Sequence, residues 1–310
     1  MKNYLLSRLI QFPLILIIIY LITFVCVWIA PGDPFSGERN IDPEILQQRR
    51  EQMHAGTWYQ FLLHYPVAAL RGDFGKSMNN LAFDVSDLIW DRLGTSLILG
   101  AAALTIALVV GMTIGTISAI KRDGLLDWLG VGVTLIGISL PSFVVAACLL
   151  FVFIVWLDWF SLPVPGRSSV QDFVLPAIAL SLAPMAYIVR LQRVSMLDVL
   201  GADHVRTARA KGLTKTRVVI KHCLRNAFLP VFTYLGPAAA LTLTGSFVVE
   251  TIFRLPGLGQ QFVDSVQNRD ATLILAQVMV FSVLLLSFNL VVDLGYAFID
   301  PRIDVTAKKS

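Results

Sequence analysis

The sequence predicts an all-α integral membrane protein with about six transmembrane helices. Of its 310 residues, 56% are hydrophobic and 15% are charged, against roughly 45 to 50% apolar and about 25% charged residues in an average soluble domain. The apolar residues fall into long blocks, whereas a soluble protein spreads them at helical or strand period. A bilayer core about 30 Å thick is crossed by a helix of about 20 apolar residues. Blocks of that size lie at residues 9–30, 93–120, 129–157, 173–189, 228–249 and 271–298.

The first block is interpreted as a retained transmembrane anchor. Lys2 and Arg8 precede it, as basic residues precede the apolar core of a signal peptide. However, the apolar run is longer than a usual signal-peptide core, and Trp28 and Pro31 flank the position where small residues would mark cleavage. We therefore expect the first helix to stay in the protein.

Small residues and prolines inside the blocks indicate helices in close contact. Gly111 and Gly115 are four residues apart in the second block, a spacing that lets two helix backbones approach closely. Prolines interrupt or kink transmembrane helices where neighbouring groups satisfy the freed backbone. The prolines inside or beside the blocks are Pro13, Pro141, Pro176 and Pro184.

The distribution of Lys and Arg predicts that both chain termini face the cytoplasm. Cytoplasmic segments of membrane proteins hold an excess of basic residues. With the N-terminus inside, most of the 25 Lys and Arg residues fall on the cytoplasmic side, many of them between positions 190 and 227. The expected topology is therefore N-in and C-in.

Two connections between the blocks are long enough to have a function of their own. The external loop, residues 31–92, contains a polar stretch followed by aromatic residues such as Trp58 and Tyr65, a pattern typical of a helix in the membrane interface. The cytoplasmic loop covers residues 190–227. The whole chain, residues 1–310, is expected to form a single transmembrane domain.

The pattern of the cytoplasmic loop predicts two short helices over residues 205–227, separated by a break at Gly212. Glycine is suited to the left-handed conformation that closes a helix. Thr214 is suited to capping the free amides of the next helix through its side chain. We therefore expect a rigid elbow at residues 212–214.

The second of these short helices is predicted to have one basic and one apolar face, because residues four apart in a helix lie on the same side. The basic set is Arg217, Lys221 and Arg225, and the apolar set is Val218, Val219, Cys223 and Leu224. Composition alone leaves two interpretations open. The loop binds anionic lipid head groups, or it docks another protein.

The order of residues in the loop separates these interpretations. The stretch Arg206-Thr207-Ala208-Arg209-Ala210-Lys211-Gly212-Leu213 is followed by Leu224-Arg225-Asn226-Ala227-Phe228-Leu229-Pro230. Together they resemble the ATPase-docking loop of ABC importer permeases of the dipeptide and oligopeptide transport family, and most closely its oligopeptide permease B-type subunit. The general importer loop begins with Glu-Ala-Ala and has a shorter gap from glycine to proline. Arg206-Thr207-Ala208 and the Gly212 to Pro230 spacing instead fit the peptide-permease variant.

The resemblance extends along the chain. Motifs similar to those of the family occur in the expected order at residues 30–35, 37–39, 71–75, 140–146, 175–181, 245–253, 255–259 and 300–302. Among them, Gly37-Glu38-Arg39 favours an oligopeptide permease. The same family also serves dipeptides, nickel chelates and glutathione.

The resemblance implies a type I ABC importer permease, a transmembrane subunit that moves peptides across the bacterial inner membrane by alternating access. Its implied partners are a second homologous permease, two ABC ATPase subunits and an external solute-binding protein. ATP and magnesium would be bound by the ATPases, with no cofactor in this chain. The residues implied to dock the ATPase are Arg206, Thr207, Ala208, Arg209, Ala210, Lys211, Gly212 and Leu213.

The sequence shows no catalytic centre or metal site of its own. A phosphate-binding loop needs Gly-x-x-x-x-Gly-Lys-Ser/Thr. Gly75-Lys76-Ser77 matches its end, but Leu70 stands where the first glycine belongs and no strand is predicted before it. The four histidines lack zinc-ligand spacing. The three cysteines form neither a disulfide framework nor a metal pattern and are interpreted as packing residues.

Three polar residues are candidates for the translocation pathway or its gate. Asp293 is an ionisable residue inside an apolar block, where charge is costly and often functional, and Asn289 lies one helical turn before it. A structural role for Asp293 remains open. Glu250 begins the segment 250–259, which the resemblance and the Pro256-Gly257 turn chemistry indicate to be an external re-entrant turn.

Two other classes of function are compatible with the composition. A secondary transporter or channel that works without ATP is permitted by discontinuous helices, although it would normally carry more ionisable groups at mid-membrane. A non-transporting membrane scaffold is the other. Neither accounts for the docking-loop motif.

Overall fold

The computed structural model describes residues 2–30, 58–78, 82–164 and 169–299, without the side chains of 2–9, 241, 244, 245 and 296–299. The predicted motifs at 37–39 and 300–302, and the motif at 30–35 apart from Ala30, therefore lie outside the described residues, as does His54, one of the four histidines. The described helices are α1 (Lys2–Ile29), α2 (Trp58–Leu70), α3 (Val85–Ile120), α4 (Leu125–Ser139), α5 (Ser142–Leu150), α6 (Gln171–Leu200), α7 (Asp203–Ala210), α8 (Lys215–Val218), α9 (Leu224–Phe253), α10 (Leu258–Gln267) and α11 (Ala271–Ile299). The π-helical turns Phe151–Trp156 and Val219–Cys223 continue α5 and α8.

The predicted all-α membrane class is confirmed, and each predicted apolar block coincides largely with helical structure. Within the described chain, four helices are long and apolar enough to cross a membrane: α1, α3, α6 and α11. A fifth crossing results if α4 and α5 with its π-helical turn, which are bent by 103° at their junction, count as one span. The block at 228–249 lies inside the 30-residue helix α9, which is not among those four.

The block at 129–157 was expected to be one span, and the structure breaks it at Leu140 and Pro141. Leu140 is extended, with φ −92° and ψ 123°, and Pro141 precedes α5 with φ −60° and ψ 142°. Proline lacks an amide hydrogen and pushes the residue before it out of the helical region. Pro13, Pro176 and Pro184, by contrast, lie inside α1 and α6 without ending them.

The boundary of the fourth block was also wrong. It was predicted to end at residue 189, but α6 continues to Leu200 and takes up the beginning of the expected cytoplasmic loop. The second short helix of that loop is likewise not separate. From α8 the chain stays helical through the π-helical turn into α9.

The described residues fall into two compact units, and the first comprises Met1–Ser96 with Pro256–Leu286. In one of its clusters α1 packs on α2, where the rings of Tyr20 and Tyr65 stack with centroids 6.3 Å apart. A second cluster joins the first turns of α3 to α10 and α11, and its members include Ile89, Leu258 and Leu273.

The second unit comprises Leu97–Leu255 with Ser287–Ser310, and within it α6 contacts α4, α5 and α9. In the most apolar 18-residue stretch of α6, 61% of the residues are buried within the protein. In the corresponding stretch of α1, 11% are buried. Glycines let neighbouring helices approach α6 closely. A Cβ on Gly111 of α3 would lie 2.9 Å from Ile188 Cγ2, and one on Gly115 would lie 2.7 Å from the Val189 carbonyl oxygen. The predicted close contact of Gly111 and Gly115 is therefore made within this chain.

Candidate functional site

The segment Asp203–Cys223, hereafter the docking segment, has the elbow that the sequence predicts. Helix α7 ends at Ala210, and Gly212 follows in the left-handed region with φ +78°. Its amide donates to the Arg209 carbonyl oxygen at 3.0 Å, and the Leu213 amide donates to that of Ala208 at 3.4 Å. A residue with a Cβ is strained in this conformation, which explains the glycine.

Thr214 takes the predicted position before α8 but does not cap it with its side chain. Its backbone is extended, with φ −60° and ψ 148°, and its hydroxyl makes no capping hydrogen bond. Its carbonyl oxygen instead accepts from the Val218 amide at 3.0 Å. The predicted hydroxyl cap is therefore wrong, and the position of Thr214 as the last residue before the helix is confirmed.

One side of the docking segment is packed onto three other helices. The side chains of Val205 and Ala208 from α7 and of Val218 and Cys223 beyond the elbow are 0 to 5% exposed. They form one cluster with Ala119 of α3, Met196 of α6 and Ala227 of α9. Burial raises the pKa of the Cys223 thiol, which suits the packing role expected for this cysteine. The segment is thus held against the ends of three long helices.

The opposite side of the docking segment is exposed and basic. Of the predicted docking residues, Ala208 is buried and Leu213 half-buried, while the exposed ones are Arg206, Thr207, Arg209, Ala210, Lys211 and Gly212. Beyond the elbow, the predicted basic set Arg217, Lys221 and Arg225 is exposed as well. Arg206 Nη1 lies 3.8 Å from Asp203 Oδ1 in an exposed pair, which contributes little stability. The surface is available to bind a partner with an acidic or polar groove.

The three candidate pathway residues do not form one cluster. Glu250 of α9 is completely buried. Asn289 and Asp293 of α11 are half-buried, and Asn289 packs against Gly236 of α9. At a rise of about 1.5 Å per residue, Gly236 lies roughly 20 Å along α9 from Glu250. A pathway role for each of them stays a prediction.

Arg193 and Asp127 form an ion pair that the sequence interpretation missed. Arg193 Nε donates to Asp127 Oδ1 at 2.6 Å, and Arg193 Nη2 donates to Asp127 Oδ2 at 2.7 Å. Arg193 lies in the predicted cytoplasmic loop, and Asp127 lies two residues before the third predicted block. The partners are 66 residues apart, and no spacing in a single sequence signals such a pair.

The external motif at residues 71–75 forms a tight turn. Gly72 and Gly75 have φ of +83° and +73°, and the Gly75 amide donates to Asp73 Oδ1 at 2.9 Å. Lys76 pairs with Asp84 in an isolated antiparallel bridge. The partial phosphate-loop match at 75–77 thus belongs to a loop structure. In the described part of the chain, no group of three His, Cys, Asp or Glu side chains is placed to hold a metal ion.

Apolar helices long enough to cross a bilayer, with an exposed basic elbow between the long helices α6 and α9, are the features of a multi-pass membrane protein. Residues 111–305 match the family described as binding-protein-dependent transport system inner membrane component. The chain belongs to this family. It is an inner membrane permease with a type I ABC importer fold, and ATP hydrolysis in such importers belongs to separate subunits.

Similar proteins support this assignment over most of the chain. The dipeptide transport system permease protein DppB of Bacillus subtilis is 37% identical over 99% of this chain and 100% of its own length. The oligopeptide transport system permease protein OppB of Escherichia coli K12 is 39% identical, covering 98% and 99%. A solved structure of the MetNI methionine ABC transporter, 17% identical, superposes with a TM-score of 0.54 over 69% of this chain and 96% of that one.

Proposed function

We propose that this chain moves peptides, and oligopeptides in particular, across the bacterial inner membrane as one of two permease subunits of an ATP-driven importer. The observation that carries the proposal is the docking segment, which is exposed and basic on one side and packed on three long helices on the other. The permeases of Bacillus subtilis and Escherichia coli named above, which belong to dipeptide and oligopeptide transport systems, support the substrate class.

In the proposed mechanism, residues 206–213 contact an ATPase subunit. When the ATPases close on ATP, they displace α7. Because Val205 and Ala208 are packed against Met196 and Ala227, α6 and α9 move with it. Close-packed interfaces switch between discrete arrangements and do not deform continuously. The displacement therefore opens the helices to one side of the membrane and closes them to the other.

The proposed complex contains a second homologous permease, two ABC ATPases and an external solute-binding protein. ATP and magnesium are bound by the ATPases, and this chain binds neither. Glu250, Asn289 and Asp293 are the proposed pathway or gate residues of this chain. Selection between oligopeptides and dipeptides is proposed to lie mainly with the binding protein, since Gly37-Glu38-Arg39 is the one feature of this chain that favours oligopeptides.

Cross-linking tests the docking contact directly. In a variant whose three native cysteines are replaced by alanine, Ala210→Cys should capture an ATPase subunit in native membranes. Leu70→Cys, which is 84% exposed on α2, is the matched control and should capture none. The docking assignment is wrong if the ATPase is never captured at position 210.

Transport by the whole complex in proteoliposomes tests the function itself. Wild-type complex with its binding protein should take up labelled tri-alanine only when ATP is supplied on the ATPase side. Gly212→Ala should reduce that uptake without changing membrane insertion, because left-handed backbone costs a non-glycine residue about 1 to 2 kcal/mol. Gly201→Ala is the control, since its added Cβ would meet only ordinary contacts at 3.6 Å or more. Uptake without ATP would contradict the proposal.

A further inference from the structure

We propose that the ion pair between Asp127 and Arg193 is a coupling latch, which fixes α6 to α4 so that displacement of the docking segment moves both helices together. This inference rests on the proposed function and assigns positioning residues for it. Asp127 lies on α4 and Arg193 on α6, and the pair acts on the docking segment through α6.

The ion pair between Asp127 and Arg193 is bidentate. Both bonds, 2.6 and 2.7 Å long, join the planar guanidinium to the planar carboxylate. Such bidentate pairing sets the relative orientation of the two side chains as well as their separation. The Asp127 side chain is 5% exposed and that of Arg193 is 26% exposed, so the protein covers the carboxylate while part of the arginine stays in contact with solvent.

Asp127 also holds a third element of the structure, the turn between α3 and α4. Its Oδ2 also accepts a hydrogen bond from the Asp123 amide at 3.0 Å, and Asp123 lies in the turn between α3 and α4 with φ +62°. The carboxylate therefore holds this strained turn and α6 at once. Removing its charge would loosen the junction of three helices.

The neighbouring contacts on α6 are equally specific. The amide of Gln192, which is completely buried, donates from Nε2 to Thr116 Oγ1 of α3 at 3.1 Å. Gly115, one residue before Thr116, lets α3 approach so closely that an added Cβ would lie 2.8 Å from Gln192 Cβ. Polar and close-packed contacts thus resist both rotation and sliding of α6 beside α3.

Helix α6 connects the Asp127–Arg193 pair directly to the docking segment. Met196 lies one helical turn after Arg193 and Gln192 and is completely buried in the cluster that holds Val205 and Ala208. A bidentate pair adds a fixed relative orientation to this apolar packing. The latch therefore makes α3, α4 and α6 respond to α7 as one body.

The test uses the whole complex in proteoliposomes and measures tri-alanine imported per ATP hydrolysed. Asp127→Asn and Arg193→Gln should keep ATP hydrolysis and lower this ratio at least about fivefold, the lower end of typical coupling between sites. The charge-exchanged double variant Asp127→Arg with Arg193→Asp should recover most of the ratio. Arg190→Gln and Asp198→Asn, at exposed positions of α6, are matched controls and should leave the ratio unchanged.

The outcomes separate coupling from mere stability. An unchanged ratio of tri-alanine imported per ATP hydrolysed in both single variants would overturn the latch. A parallel fall of ATP hydrolysis and tri-alanine uptake that the double variant does not reverse would overturn it as well. If Asp127→Asn fails to accumulate in the membrane, Arg193→Lys is the deciding variant. It keeps the positive charge but loses the bidentate geometry, so the ratio of import to ATP hydrolysis should still fall. Failure of the proposed function shows differently, as a wild-type complex that imports no tri-alanine with ATP, and would overturn both.

Discussion

At the start of α11, the buried carboxylate of Asp270 gathers hydrogen bonds from two distant parts of the chain. It accepts from Thr272 Oγ1 at 2.9 Å and from the Leu273 amide at 3.2 Å, which caps the helix. It also accepts from the hydroxyl of Ser77 and from the Met78 amide. Nearby, Tyr65 donates its hydroxyl to the Thr272 carbonyl oxygen at 2.8 Å, and burial raises the pKa of Tyr65, so it remains a donor at physiological pH.

At the residue scale, Asp270→Ala should lower the stability of the protein by about 3 kcal/mol, because it leaves several buried donors without an acceptor. The measurement is thermal unfolding of the purified complex in detergent. Asp264→Ala, at an exposed position of α10, is the control and should change the unfolding midpoint little. Equal midpoints for the two variants would contradict the role of Asp270.

At the element scale, close helix contact decides which glycines tolerate a methyl group. Gly132 and Gly137 both lie on α4. A Cβ on Gly137 would lie 2.7 Å from Ala186 Cβ and 2.8 Å from the Leu182 carbonyl oxygen of α6, whereas one on Gly132 would meet nothing within 4 Å. Backbone and a rigid alanine cannot move aside cheaply, so Gly137 is required by packing.

Gly137→Ala is therefore expected to destabilise the protein by about 1 to 3 kcal/mol, the usual cost of overpacking. Gly132→Ala should be neutral or slightly stabilising, since alanine favours the helix. Thermal unfolding of both variants under the same conditions tests the contrast. A destabilised Gly132→Ala, or an unaffected Gly137→Ala, would show that α4 does not pack on α6 as described.

At the scale of the whole molecule, the orientation in the membrane follows from basic residues that concentrate in and around the docking segment. The same residues that make the exposed surface basic, among them Arg209 and Lys211, also predict the cytoplasmic side. The orientation and the docking role thus depend on each other. An outward-facing docking segment would have no ATPase to bind.

Labelling of spheroplasts with a membrane-impermeant maleimide checks this orientation in a background without native cysteines. Arg71→Cys, exposed after α2, should react in intact spheroplasts. Arg209→Cys, exposed on α7, should react only after the membrane is opened. The reverse pattern would refute the N-in topology and, with it, the proposed docking role.

Local patterns in the sequence determined the membrane class, the approximate position of each helical block, the elbow at Gly212 and the basic and apolar faces of the docking segment. Hydropathy, backbone preference and helical periodicity each act over a few residues, so one sequence suffices to reveal them. The break at Pro141 follows from the local preference of proline, but the true end of α6 was harder to predict, because tertiary contacts override local helix propensity.

Only the tertiary structure decided which distant residues meet. Arg193 pairs with Asp127 across 66 residues, and Ser77 bonds Asp270 across 193 residues. Nothing in the local sequence distinguishes these charges and hydroxyls from others that stay in solvent. Their partners are set by how the helices pack, which is a property of the folded chain as a whole.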